Sequence, residues 1–295
     1  MGRQVVERIS DLNKADELTS NKILFQDNKE NVNLKNSELI FKGENNIVFL
    51  ENNVTLQDSR IIFEGDNNVV YLCSSDNVYL LNVTTFNRSL LYIGEDNYFS
   101  GTVYATLSER KHLVIGDEGV FSFGLYFRTA DGHPIYDIET SKRINPSKSV
   151  FIGDSVWLGQ DATILKGTKI GSGSIVGADA VVAGKTIPSN TIWGGNPAKQ
   201  IKKNVFYGKD SVNWFWVAKT KEFEEETDRS CVYEKEEGVT KSFKKIEKDL
   251  DNIKNSEKKL KYTIENIRNC KEKNRFFAGG AKKKNLKSRI VSMLK

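Results

Sequence analysis

The stretch Ile152 to Ile187 reads IGDSVW-LGQDAT-ILKGTK-IGSGSI-VGADAV-VAGKTI, six consecutive hexads. The first position is always aliphatic: Ile152, Leu158, Ile164, Ile170, Val176 and Val182. The fifth is always small or β-branched: Val156, Ala162, Thr168, Ser174, Ala180 and Thr186. An amphipathic helix would repeat with a period near 3.6 and an ordinary strand with a period of two, so neither explains the pattern. A six-residue period with frequent glycine at the second position reads as a parallel β-helix, in which each hexad is a short strand and a turn. Three hexads close one triangular coil, the aliphatic residue fills its interior, and each coil is stable beside its neighbours.

The repeat extends upstream in looser form. SELIFKGENNIVFL (Ser37 to Leu50) and SRIIFEGDNNVVYL (Ser59 to Leu72) match at an offset of 22 residues. LYIGEDNYFSG and LVIGDEGVFSFG match at the same offset, which places Gly94 over Gly116. A β-sandwich is the competing reading of these strands, and the in-register self-similarity argues against it. The expected fold is all-β, a left-handed parallel β-helix with a C-terminal helical extension. Its expected parts are an N-terminal lead-in (1–20), the β-helix (21–204), a capping segment (205–238) and a basic helical or coiled-coil tail (239–295). The hexads break once, after Thr129, at TADGHPIYD, and resume at Ile152. Residues 129–149 therefore form a loop thrown out of a coil corner, and loops on a rigid scaffold are where chemistry is usually placed.

Composition bounds the rest. The 295 residues carry a net charge of +5. Residues 239–295 hold 18 basic and 6 acidic side chains, a net of +12, and the body before them is mildly acidic at −7. The N-terminus lacks an apolar signal region, no window resembles a membrane span, and the three cysteines show no paired spacing. A cytoplasmic protein with reduced thiols is expected. No nucleic-acid partner is expected.

The segments DGHPIYD, RIN, VFIGDSVWLG, ILKGTKIG, IVGADAVV and IPSNTIWGGNPAKQIKK, in this order, resemble the hexapeptide-repeat acyltransferases with a left-handed β-helix. Within them the chain is most similar to bacterial capsular polysaccharide O-acetyltransferases, including those acting on sialic-acid-containing capsules. The resemblance is firm from about Val114 to Lys203 and absent beyond about residue 220. It implies transfer of acetyl from acetyl-CoA, as co-substrate, to a sugar hydroxyl of a glycan acceptor, in homotrimers with sites between subunits. It implies that His133 is the general base and that Trp157 lies at the acetyl-CoA site. The turn Gly195, Asn196, Pro197, Ala198 and Lys199 would lie near the adenosine end. Ala178 and Lys185 complete the candidate cofactor set, and Tyr136 and Arg143 are candidate acceptor contacts.

The chemistry agrees. A sugar hydroxyl needs its proton removed as it attacks a thioester, and histidine has the side chain whose ordinary pKa suits that task. No serine or cysteine nucleophile with a partnered base is visible, so direct attack in a ternary complex is favoured. Asp131 either orients His133 or caps the turn. Trp157, at an outward position, makes a cofactor or subunit contact. Arg143 either binds an anionic acceptor or is solvated, and His112, in SERKHLVIG, is expected at a charged surface corner. No metal is expected: a zinc site of three histidines cannot be built from two. No glycine-rich nucleotide-binding domain precedes the repeats, which disfavours a sugar-nucleotide pyrophosphorylase.

In the tail, Phe243, Leu250, Glu257 and Ile264 alternate with Ile246, Ile253, Leu260 and Ile267 at heptad spacing. A coiled coil emerging from a trimeric body is expected, with a back-packed hairpin as the alternative. The hexads and loop are complete before Val239, so the body is expected to fold and act without the tail. The basic end is expected to be solvated, or else to touch a membrane surface or an anionic polymer. Rival functions are acetylation of another glycan or sugar precursor, or a non-catalytic assembly role for the basic coiled-coil tail.

Overall fold

The computed structural model describes residues 6–279. Its strands are two to five residues long and nearly all pair in parallel with the strand one coil away. Three faces, the third made of a two-stranded and a six-stranded sheet, wrap one axis, giving a left-handed parallel β-helix of about seven turns with a C-terminal helical part. The first face runs from Glu38–Phe41 to Val181–Ala183, and the second from Lys22–Phe25 to Thr186–Ile187. The third includes Tyr98–Phe99, Val120–Phe121, Trp157–Leu158 and Ile175–Val176, and the chain visits second, third and first face in turn.

The register follows the sequence repeat. Ile47 pairs with Val69, and Leu91 with Leu113, 22 residues apart. Above the loop Ile152 pairs with Ile170, 18 residues on. All six first-position aliphatics of the hexads are completely buried. The fifth-position residues are buried as well, except Thr186, which is exposed. There the last hexad is one residue short, because Ile170 pairs with Ile187, 17 residues on.

The asparagines of the lower coils build corners. Asn21 Oδ1 accepts from the backbone and side-chain N–H groups of Asn46 at 3.0 and 2.9 Å. Asn46 Oδ1 accepts the equivalent pair from Asn68 at 2.9 Å each, and Asn68 Oδ1 accepts from Ser89 N–H at 2.8 Å. Each buried corner amide thus finds an acceptor one coil away, which an apolar side chain could not provide. Gly94 does lie over Gly116, whose carbonyl carbon would be 2.6 Å from an added Cβ.

At each end an antiparallel strand covers the edge of one face. Glu7–Ile9 lies on Glu38–Phe41 at the bottom, and the 3-10 turn Leu12–Glu17 buries Leu12 and Ala15 there. At the top Lys199–Lys203 lies on Thr191–Gly194, and Ala198 is completely buried. Residues 205–238, expected to cap the last coil, reach it at Asn190, whose carbonyl accepts from Val205 N–H and whose Oδ1 accepts from Tyr233 N–H, each at 3.1 Å. The segment includes the short helix α1 (Val217–Glu222) and also touches the coils below. Tyr233 donates its hydroxyl to Ser155 Oγ at 2.8 Å, and Lys209 pairs with Glu118 at 2.7 Å.

The tail also differs from expectation. The heptad does not run as one helix: α2 (Phe243–Asn252) stops, and α3 (Ser256–Thr263) starts anew with Asn255 Oδ1 accepting from Lys258 N–H at 3.0 Å. Asparagine is a favoured N-cap, and this signal outweighed the heptad. The apolar stripe folds back onto the second face. Phe243, Ile246, Leu250, Leu260, Ile267 and Phe276 form one cluster with the outward residues Val69, Tyr71, Leu90, Tyr92, Val114 and Phe151. A partner surface in the same chain needs no second molecule to be ordered, so it takes precedence over an intermolecular seam.

Two arginines pin this strap. Arg268 bonds Glu51, 3% exposed, and reaches Glu95 at 2.6 Å. Burial alone would raise the Glu51 carboxyl, but Arg268, the Tyr71 hydroxyl and the Ser74 amide hold it below the usual range. Arg275, 1% exposed, reaches Asp154 at 2.7 Å and Asp117 at 2.8 Å. His112 is not a surface residue: it is completely buried beneath α2, with Nε2 3.4 Å from Asp251 Oδ1. Its Nδ1 accepts from Leu90 N–H at 3.1 Å, and burial lowers its pKa to about 4. The contact spans 139 positions, which no local pattern reports. The basic run from Lys282 onward, to which membrane or polymer contact was assigned, lies outside the described residues. No helix among the described residues is long and apolar enough to cross a membrane.

Candidate active site

The register locates the loop. Val150 pairs with Leu113 across 37 residues, where the coils below use 21 to 25. The extra chain leaves after the first-face strand Tyr126–Arg128 and returns at the second-face strand Val150–Ile152. It forms a small two-stranded arm in which Tyr136 bridges Arg143 and Ile144 N–H donates to Ile135 O at 2.9 Å. The tip is closed by Asp137, whose Oδ1 accepts from the backbone and hydroxyl of Thr140 at 2.8 and 2.7 Å.

One residue that sequence reasoning did not single out holds the arm. Asn145, 7% exposed, donates through Nδ2 to His133 O and to Asp131 Oδ2, both at 2.9 Å. Its Oδ1 accepts from Ile135 N–H at 2.7 Å and from Arg143 Nε at 3.2 Å. Every hydrogen-bonding site of the amide is used, which is what a buried asparagine requires. The backbone on both sides of His133 is thereby fixed, while its imidazole stands exposed and makes no hydrogen bond among the described residues.

The charged groups of the arm are braces. Asp131 pairs with Lys166, which also donates to Asn145 O at 3.1 Å. Lys166, and beside it Asn145, hold the Asp131 carboxyl below its ordinary range. Of the two readings left open for Asp131, the bond to His133 is not formed. Arg143 grips Glu109 with two bonds, at 2.7 and 2.8 Å, and with Ser147 keeps that carboxyl near a pKa of about 2. Its guanidinium is thus paired within the chain, and its side chain remains partly exposed. Tyr136 is 59% exposed on the arm. Lys166 and Glu109 lie in neighbouring coils, and their roles had no signature in the sequence.

Trp157 projects from the third face, 39% exposed, in a ladder with Tyr98, Val120, Ile175 and Ile192. Its ring meets that of Tyr207 at 5.6 Å, another contact the hexads did not announce. Ala178, Gly195, Asn196, Pro197 and Lys199 are exposed, and Gly195 adopts φ +87, a left-handed conformation suited to glycine. The Ala198 side chain fills the coil interior, so it offers a ligand only its backbone. Lys185 donates to Ala198 O at 2.6 Å and lies 5.6 Å over the Trp193 ring, tying the turn to the last coil. The His133 loop leaves the corner between first and second faces, whereas Trp157 is on the third face, across the triangle. One chain does not bring them together. No cluster of three or more metal-ligating side chains occurs among the described residues.

Hexads stacked into a triangular coil and interrupted by one histidine-bearing loop are features this chain shares with the hexapeptide-repeat proteins. The model of the bacterial transferase hexapeptide (six repeats) matches residues 149–184. The chain is similar to a polysialic acid O-acetyltransferase of Escherichia coli O1:K1 / APEC, 38% identical over 109 residues, which are 37% of this chain and 35% of that protein. A polysialic acid O-acetyltransferase of Neisseria meningitidis is 40% identical over 48 residues, 16% of this chain and 22% of that one. The aligned stretches thus span about a third or less of these relatives. Among solved structures, the polySia-specific acetyltransferase NeuO superimposes with a TM-score of 0.58 at 28% identity, covering 69% of this chain and 93% of NeuO. The polysialic acid O-acetyltransferase OatWY gives 0.54 at 26%, covering 68% of this chain and 93% of OatWY. The resemblance drawn from the motifs is borne out at the level of family and fold.

Proposed function

We propose that this protein is an acetyl-CoA-dependent O-acetyltransferase acting on a hydroxyl of an acidic bacterial surface glycan. The observation that carries the reading is the rigidly mounted, exposed His133 in a fold shared over 93% of NeuO. The acceptor hydroxyl oxygen attacks the thioester carbonyl while His133 takes its proton. The resulting oxyanion collapses, the carbon–sulfur bond breaks, and the CoA thiolate leaves and is protonated. Removing that proton within the step contributes about 10²–10⁴-fold. Holding acceptor and thioester together supplies much of the rest.

Asn145 is a positioning residue for His133, and the Asp131–Lys166 and Arg143–Glu109 pairs brace the same arm. Trp157 and the exposed turn Gly195–Lys199, with Ala178, line the cofactor side. Because His133 and Trp157 lie across the coil from each other, a site using both takes them from two subunits, and a C₃ ring closes such a contact. The non-catalytic assembly reading loses its main support, since the heptad packs inward against the β-helix. The test is to incubate the purified chain with acetyl-CoA and polysialic acid, following free CoA thiol and the mass of the glycan. Thiol release with an acetyl added to the polymer is expected; failure to bind acetyl-CoA at all would remove the reading.

A further inference from the structure

The first face carries a groove below the loop that the catalytic reading does not use. It encloses about 490 Å³ and is lined by Asn82, Thr84, Tyr104, Thr106, Tyr126 and Arg128, with Thr163 and Leu165 at its upper rim. Tyr104 and Tyr126 occupy the same position in successive coils, 38% and 48% exposed. Their rings stack at 5.0 Å and 14°, the spacing of adjacent strands. Arg128, exposed one coil above Thr106, forms no salt bridge among the described residues, and no carboxylate lines the groove. Its upper end adjoins the loop: Thr129 follows Arg128, and Lys166, next to Leu165, holds Asp131.

We infer that this groove binds the acceptor chain, a polymer of carboxylated sugars, on the side of His133 away from the cofactor. The inference rests on the acetyltransferase reading. If acetyl-CoA runs from Trp157 up towards the Gly195–Lys199 turn at the top of the coil, the cleft above the loop is filled. The acceptor then enters from the coils below, along Tyr126 and Tyr104. The lining suits such a chain. The apolar face of a pyranose ring packs on a flat tyrosine, as aromatic-lined ligand sites do. Asn82, Thr84 and Thr106 offer partners for hydroxyls, and an uncompensated guanidinium matches a carboxylate. Two stacked rings below the reacting centre bind sugar units adjoining the one acetylated, so a polymer is preferred to a free monosaccharide.

The test compares the wild-type chain with Tyr104→Ala/Tyr126→Ala and with Arg128→Gln. Three acceptors are used: long polysialic acid, monomeric sialic acid, and uncharged dextran of matched length. Equilibrium binding of each polymer is measured without acetyl-CoA, steady-state kinetics with it, and assembly mass by light scattering. The tyrosine pair variant is expected to raise Kd and KM for polysialic acid about ten-fold or more. Its kcat, its KM for acetyl-CoA and its rates on the monomer should stay as in the wild type. Arg128→Gln should weaken polysialic acid binding and flatten its salt dependence, with dextran weak throughout. Unchanged polymer affinity overturns the groove, and so does a changed assembly mass, which would make this face a subunit contact. A wild-type chain that acetylates polysialic acid, with variants that behave identically, sinks the groove alone. A wild-type chain that binds acetyl-CoA yet neither binds nor acetylates the polymer sinks both readings.

Discussion

His133 is exposed, yet the backbone that carries it is anchored by a buried amide, a combination that serves a base needing to reach substrate from a fixed position. His133→Ala is expected to lower kcat about 10²–10⁴-fold with acetyl-CoA affinity unchanged, as measured by initial rates and calorimetry. Asn145→Ala should act through the histidine. It strands the Ile135 amide and releases the His133 carbonyl, and a buried unpaired polar group costs about 1–3 kcal/mol. The expected result is a loss in kcat of about ten-fold or more, with KM for acetyl-CoA unmoved and a modest fall in Tm. A KM effect for acetyl-CoA equal to the kcat effect would mean that Asn145 only holds the chain together.

At the scale of elements, the C-terminal strap is part of the body and not an appendage. Six large side chains of the second face lie beneath it, and re-exposing them costs on the order of 10 kcal/mol, comparable to the whole stability of a domain. Truncation after Gly238, expected from sequence to leave an active body, is therefore predicted to yield an aggregating chain that binds hydrophobic dyes. A soluble truncated chain with native Tm would refute this. The strap also has a pH window. His112 titrates at about 4 when folded and near 6.5 when exposed, so between these values the unfolded chain binds a proton that the folded chain refuses. Stability present above about pH 6.5 is lost as pH falls towards 4, by about 3 kcal/mol. His112→Asn should reduce the difference in Tm between pH 7 and pH 4.5, and an undiminished difference would assign the effect to other groups.

The whole molecule has to solve a problem that one chain leaves open, because the His133 corner and the Trp157 face point apart. If sites form between subunits, two inactive variants complement each other. Co-expressing His133→Ala with Trp157→Ala chains, each carrying a different tag, should yield mixed trimers. A site taking histidine from one variant and tryptophan from the other is then intact at about one of the three junctions of every mixed trimer. Rates near a third of wild type in the doubly tagged fraction are expected; no recovery above either variant alone would mean that each chain carries a complete site or that Trp157 is not part of it.

The fold was legible because a β-helix is written in local repetition. Ile152, Leu158 and Ile164 recur at fixed spacing, since each must fill the same interior, and the 22-residue offset of Phe41 and Phe63 is the length of one coil. His133 was legible as the one polar interruption in that pattern. Neither the network around Asn145 nor the burial of His112 could be read in this way. Asp131 and Lys166 are 35 positions apart, and His112 and Asp251 are 139 apart. Such pairs carry no period, and their partners are chosen by which coil corner lies next to which. The tail shows the same division. Sequence determined that Phe243, Ile246, Leu250 and Leu260 would be buried, because their spacing makes an apolar stripe. What buries them was decided in three dimensions, where the aromatic outer surface of the second face was already in reach of its own chain.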